Sequence, residues 1–342
     1  MDRNLRAGRT ALALAVMVSG LGAAGQALAW GDTGHRIIGQ LGIETLPAEV
    51  PAFLRAPGVA ADVGELAREP DRSRGSGKVH DNMRDPGHFV DVDDEGRILG
   101  GPELSALPPT RTDYDAALRA LGTDSARAGF LPYSIVDGWQ QLAKDFAYWR
   151  ADVAAARLEK DPAHRAWLDR DRQRREAQTI QDLGVWAHYV GDGSQPLHAT
   201  VHYNGWGPGP NPERFTSLRI HASFEGPFVR VNVTAQAVRA KMPKPGDCRC
   251  EIEARASAYL AQTYAQVLPF YRLEKAGAFM GPDPRGVAFA TERVAAGAAE
   301  LRDLIVAAWN ASASGSVGYP ATPAAEIEAG QADAYTLLYG DD

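Results

Sequence analysis

Thiol chemistry has little to work with in this sequence: its two cysteines, Cys248 and Cys250, stand in a single Cys-Arg-Cys triplet. That count excludes a structural disulfide framework. One intervening residue makes a very small ring, in which good disulfide geometry is hard to reach. Loop thiols, a strained bridge and a stray metal site stay open for the pair. Long apolar runs are missing as well. Beyond residue 29 no stretch approaches the roughly 20 apolar residues of a membrane span, so no stable membrane insertion is expected. Basic excess is also absent, since 36 Lys and Arg face 43 Asp and Glu for a formal net charge of −7. Such a chain lacks the charge for a long phosphate-tracking surface. A phosphate substrate would have to be held by local charge, for example by metal ions. Internal repeats and low-complexity tracts are missing too.

What is present starts at the N-terminus. Arg3, Arg6 and Arg9 form a basic start, Thr10 to Leu21 is small and apolar, and Ala27-Leu28-Ala29 fits a signal-peptidase pocket. Residues 1–29 therefore read as a secretory signal peptide, and a secreted or periplasmic location is expected. Cleavage there would make Trp30 the first residue. Its free α-amine, easily deprotonated near neutral pH, could bind a metal, and His35 follows five residues later.

The rest reads as helical. Gly34 to Leu46, Ser134 to Arg157, Gln178 to Val190, Ala254 to Tyr271 and Val287 to Trp309 carry apolar residues at steps of three and four. Trp139, Trp149 and Trp186 lie on such stripes and read as core. Strands are scarce: His88 to Val92 and Phe228 to Val233 have short β-like alternation. Asn204 to Pro212 and Lys241 to Asp247 read as loops. The simplest architecture is one all-α domain over 30–342 with long irregular loops, and a monomer. The charge-rich segment from about 102 to 175 is a candidate inserted helical hairpin.

Eight histidines give the chemistry its handle. His188 and Asp192 stand at i, i+4, the spacing that puts two side chains on one helix face. Gln195-Pro-Leu-His198 follows, and His221 with Glu225 forms a second i, i+4 pair. His88 lies near Asp91. A single pair of this kind is most often a solvated surface pair; two pairs with a nearby Pro-Leu-His and the Trp30/His35 start are not easily assembled by chance. Imidazole and carboxylate donors without thiolate suit Zn²⁺ in a hydrolytic site. His80, His164 and His202 have no partner in the pattern and read as surface or supporting residues.

These residues reach a known family. Trp30-Gly-x-x-Gly-His35, Pro70-Asp71-Arg72, His88-Phe-Val-Asp91, His188-Tyr-x-Gly-Asp192-x-x-Gln-Pro-Leu-His198 and His221-x-x-x-Glu225 together resemble the zinc-dependent phospholipase C and single-strand-specific nuclease superfamily. The resemblance runs from Trp30 to Glu225. It implies an all-α exported phosphodiesterase with three zinc ions. One would take Asp71, His88, His188 and Asp192. A second would take the amine and carbonyl of Trp30, His35 and, as a bridge, Asp192. The third would take His198, His221 and Glu225. Such an array would hold a phosphodiester and bring a water's pKa toward roughly 7. Asp71 is the candidate for orienting the attacking water; its plainer reading is a capping carboxylate, with Asp62 as the nearest substitute. Phe89 and Asp91 would stack on and hydrogen-bond a base. Their plainer reading is core for Phe89, and support of His88 for Asp91.

The expected substrate is single-stranded nucleic acid or a nucleotide. The short Trp30 to His35 interval and the Gly/Pro/Asn loop between His198 and His221 resemble the nuclease branch. Glu225 in place of aspartate, and Phe224 in place of tryptophan, resemble the phospholipase branch, so phospholipid is the alternative substrate. A non-catalytic exported zinc-binding protein is the reading from another class. Asn232-Val-Thr234 and Asn310-Ala-Ser312 are glycosylation sequons.

Overall fold

A computed structural model describes residues 30–207, 209–246 and 251–340. The expected signal segment 1–29 and the cysteine pair lie outside the described residues. The chain is all-α: the only sheet among the described residues is a two-stranded antiparallel ribbon, Ser316–Val317 against Thr322–Pro323. No described helix is long and apolar enough to cross a membrane.

Eight helices carry most of the site: α1 (Gly31–Glu44), α2 (Val59–Leu66), α3 (Glu69–Arg72), α4 (Lys78–Arg84), α5 (Arg111–Arg119), α6 (Ser125–Ala128), α7 (Leu131–Leu158) and α8 (Pro162–Asp192). The long pair α7 and α8 turns back on itself through Glu159, Lys160 and Asp161. Asp161 starts α8 by accepting from the amides of Ala163 at 2.7 Å and His164 at 3.3 Å. Pro162 at the first helical position needs no amide partner. Helix α8 runs unbroken past Arg175 to Asp192, so the second arm of the 102–175 hairpin is the helix that carries His188.

Two packing details fix where α8 lies. The Trp186 indole donates to the carbonyl of Ile135 at 2.9 Å. It also lies so close to Gly138 that a Cβ there would stand 2.0 Å from its Cδ1, a separation that side-chain atoms do not tolerate. Trp186 is buried as expected, while Trp139 and Trp149 are only partly covered. Helix α1 lies between α2 and the long helix Pro284–Ser312, whose Val294, Ala298, Leu301 and Ile305 are buried at helical spacing. A second, smaller cluster joins Ala147, Ala151, Ala155 and Leu168 of the hairpin to Val317, Ile327 and Ala334.

The structure corrects three readings of local pattern. Phe228 to Val233 is not a strand. A π-turn over Phe224–Phe228 leads into the helix Val229–Asn232, and the rings of Phe224 and Phe228 meet at i, i+4 with centroids 5.9 Å apart. Of His88 to Val92, His88 closes a 3₁₀ turn and the rest is extended but makes only isolated bridges, Val90 with Gly129 and Val92 with Ile98. Ala254 to Tyr271 is two helices, Ile252–Tyr264 and Val267–Lys275. Pro269 explains the break. It cannot donate to the carbonyl of Ala265, and its ring would crowd that group in a continuous helix. Near the start of a new helix its missing amide is harmless.

Candidate metal centre

The last turn of α8 places His188 and Asp192 on its buried face, both fully covered. Three elements bring partners to them. Helix α1 supplies His35, whose ring stacks on His188 with centroids 3.8 Å apart. The 3₁₀ turn Asp85–His88 supplies His88. Helix α3 supplies Asp71, with Oδ1 3.9 Å from His188 Nε2.

Asp192 stands between these partners. Its Oδ1 is 3.4 Å from His35 Nε2. Its Oδ2 is 3.0 Å from His88 Nδ1 and 3.3 Å from His188 Nε2. His188 Nε2 in turn is 2.9 Å from His88 Nδ1.

The third set forms beside them. The 3₁₀ turn Pro196–His198 follows α8 directly, and the turn opening at His221 faces it. His198 Nε2 lies 3.1 Å from His221 Nε2 and 3.2 Å from Glu225 Oε1, and His221 Nε2 lies 2.7 Å from the same oxygen. The eight side chains thus fall into three groups: His35, His188 and Asp192; Asp71, His88 and His188; His198, His221 and Glu225. His188 belongs to two of them, and Asp192 touches members of both.

The rings are oriented from behind. His188 Nδ1 faces the carbonyl of Ala67 at 2.7 Å, and His198 Nδ1 faces the carbonyl of His88 at 2.5 Å. A carbonyl only accepts, so both Nδ1 atoms carry protons. In the neutral rings each Nε2 is then a lone pair turned toward the groups. Close contacts between such nitrogens and carboxylate oxygens need a proton or a cation between them. Other buried donor atoms have no hydrogen-bond partner among the described residues: both nitrogens of His35, Nε2 of His88, Oδ1 of Asp192 and Oε2 of Glu225. Leaving such atoms bare costs about 1–3 kcal/mol each. A cation satisfies several at once, and the three groups could hold metal ions.

Electrostatics point the same way. Burial holds His35 well below the usual imidazole range, and the neighbouring His188 adds to this. Burial also pulls His88 down to about 3. Burial opposes charge on His198, but the carboxylates of Asp192 and Glu225 outweigh it and lift that ring to about 9. The acids thus draw positive charge into the site. Burial raises the Asp71 carboxyl to about 6, against the pull of His188 and Arg74.

Trp30 enters the site by its side chain. It is fully buried, and its indole donates to the Gly191 carbonyl and the Ser194 hydroxyl, each at 2.9 Å. Its carbonyl accepts from the amide of Gly34 at 3.2 Å. Gly31 packs against the Glu225 carbonyl, where a Cβ would stand 3.0 Å away. These contacts hold the start of α1 against the end of α8 and the main chain at Glu225.

A cleft of about 400 Å³ opens over His88, His198 and His221, with Phe89 and Asp91 on its wall. Burial raises the Asp91 carboxyl to about 7. Asp91 makes no hydrogen bond to His88, whose partners are His188 and Asp192. Arg74, Asp85, Arg127, Leu197 and Tyr203 also line the cleft; Arg74, Arg127 and Tyr203 stand in none of the site motifs read from the sequence. The sequence reading gave no separate role to Gln195, which is fully buried, donates to Glu225 Oε1 and accepts from the Leu197 amide at 2.6 Å. Its place in Gln-Pro-Leu-His was the available signal. The other histidines lie apart. His80 meets Asp81 at 3.1 Å, and His164 stacks on Tyr335 with centroids 3.6 Å apart. His202 is buried against Trp206 and meets Asp94 at 2.9 Å. Comparison with protein-family models and with curated proteins finds no match to this chain.

Proposed function

We propose that this chain is an exported zinc-dependent phosphodiesterase that cuts single-stranded nucleic acid, with 3′-nucleotides as related substrates. One observation carries the reading. Three adjoining groups of buried imidazole and carboxylate atoms, spaced for metal ligands, lie beside a cleft that His88, His198 and His221 line together with two arginines, Phe89 and the carboxyls of Asp85 and Asp91. Ligands about 2.0–2.1 Å from a tetrahedral zinc stand roughly 3.3 Å from one another. The separations here, from 2.7 Å between His221 and Glu225 to 3.9 Å between His188 and Asp71, bracket that value. Nitrogen and oxygen donors without thiolate suit zinc in hydrolysis. In this reading His35, Asp71, His88, His188, Asp192, His198, His221 and Glu225 are the ligands, with the amine and carbonyl of Trp30 as further donors.

When bound, the zinc ions supply positive charge for the phosphate and acidify water toward a pKa of roughly 7. The chain's own groups do the rest. Asp71, at the margin of its group with its side chain 9% exposed, accepts a hydrogen bond from the attacking water and aims it at phosphorus. The new P–O bond forms as the bond to the leaving oxygen breaks, and that oxygen takes the proton that the attacking water gives up. The main-chain carbonyls of Ala67 and His88 keep His188 and His198 from rotating, so the floor does not reorganise during the reaction. Phe89 offers a face on which any base can stack.

Glu225 supports the second reading, a phospholipase C, because a glutamate at this position resembles that branch. One assay panel with the zinc-loaded protein decides: single-stranded DNA, RNA, a 3′-nucleotide and phosphatidylcholine vesicles. The nuclease reading expects turnover of the nucleic acids. Turnover of lipid alone reverses the ranking, and zinc binding with no turnover supports a non-catalytic protein.

A further inference from the structure

One wall of the cleft is built by the segment between the His88 and His188 motifs, which contributes Arg127. Its inner edge is the turn α6 with Gly129. Asp115 on α5 accepts from the Ser125 amide at 2.9 Å and its hydroxyl at 2.7 Å. Asp124 accepts from the Arg127 amide at 3.0 Å, and Tyr114 donates to the Gly129 carbonyl at 2.8 Å. The turn is then stitched to the extended chain of the cleft, since the Asp91 amide donates to Ala128 at 2.8 Å and the Leu131 amide to Phe89 at 3.0 Å. Gly129 permits this contact. Its φ is 75°, and a Cβ there would lie 2.1 Å from the Phe89 carbonyl oxygen. Arg127 is thus presented at a fixed offset from Phe89 and Asp91.

Two arginines line the cleft. Arg74 is engaged, with Nε 3.1 Å from Asp71 Oδ1. The exposed Arg127 differs: its guanidinium has no ion pair, hydrogen bond or ring contact among the described residues, although its backbone is held in place. A guanidinium is a planar fork that matches phosphate oxygens in pairs. It also repels a quaternary ammonium headgroup. We propose that Arg127 is a specificity residue that holds a second, non-scissile phosphate, so that the site prefers a chain with at least two phosphodiesters. This rests on the nuclease reading above and narrows its substrate class.

The test compares a trinucleoside diphosphate with a dinucleoside monophosphate, using the zinc-loaded protein and its Arg127→Gln and Arg127→Lys variants. The wild type should favour the trinucleotide in kcat/KM. Arg127→Gln should lower that preference about tenfold, and Arg127→Lys should restore part of it. The log–log dependence of trinucleotide KM on salt should flatten by about 0.7 in Arg127→Gln, the share of one phosphate contact on a single strand. A general structural role would move both substrates together and leave the salt slope alone. Nucleotide turnover with an unchanged preference in Arg127→Gln overturns this assignment and leaves the nuclease reading standing. Turnover of phosphatidylcholine vesicles alone overturns both.

Discussion

At the scale of the residue, Trp30 has the most to answer for. Its side chain is anchored under the end of α8 by two indole hydrogen bonds, so its main chain cannot move far from the turn that carries Asp192. A free amine there has a lone pair for a metal, whereas an amide nitrogen in an uncut or extended chain has none. One extra residue before Trp30 should therefore lower the bound zinc by one ion and remove most phosphodiesterase activity. Elemental analysis beside an activity assay checks this, and full zinc content with full activity in the extended protein would sink it. Two of the pairs that the structure brings together, His188 with Asp192 and His221 with Glu225, were legible in the sequence because each has a strict helical spacing. Gln195, Arg74, Arg127 and Tyr203 were less so. Their roles depend on what faces them across the fold: Gln195 on Glu225, and Arg127 on a stretch of chain near Phe89.

At the scale of the element, the α7/α8 hairpin sets the position of the site. Gly138→Ala would push a methyl into the Trp186 indole and move α8 two residues before His188. Overpacking of this kind typically costs about 1–3 kcal/mol. The variant should melt several degrees lower and bind zinc less tightly, measured by calorimetric melts and a competing chelator. An unchanged melting point would show that the two helices part without penalty. The same hairpin holds a second device. Asp152 is fully buried in α7, and neither of its oxygens has a hydrogen-bond partner among the described residues. Burial raises its carboxyl from 3.8 to about 7; Asp171 raises it further, while Arg175, Arg172 and Arg174 pull the other way. The folded chain thus holds this proton more tightly than the unfolded chain. Stability falls as pH rises from about 4 to about 7 and is level beyond, by up to about 4 kcal/mol. Asp152→Asn should flatten that stretch of the curve and stabilise the protein at pH 8 but not at pH 4. Urea titrations across this range would show it, and parallel curves for the two proteins would count against it. Long helices were readable because many turns repeat one pattern. Phe228 to Val233 was misread because six residues satisfy a two-residue and a helical period alike; the helix entering from His221 decided between them. The split at Ala265 followed from Pro269, whose effect outweighs the continuous apolar stripe.

At the scale of the whole molecule, the all-α class followed from composition and period, and the structure bears it out. Which candidate ligands share a group was not readable from spacing. Residue 35 and residue 188 are far apart in the chain, yet their rings stack at 3.8 Å, and only the packing of α1 against α8 brings them together. The sharing that results has a consequence of its own. Asp192 turns one oxygen to His35 and the other to His88 and His188, and His188 Nε2 lies within reach of both groups. An ion entering either group fixes the Asp192 carboxylate that the other group also needs, whereas the single lone pair of His188, on Nε2, can serve only one of them, so the second ion meets a carboxylate already in place. Loading in these two groups should be cooperative, with a Hill coefficient above one and few singly filled molecules in native mass spectra. Asp192→Asn should turn that into independent, weaker binding. On this view metal content behaves as a switch with two positions, and the protein spends little time half-armed as zinc rises from scarcity to sufficiency.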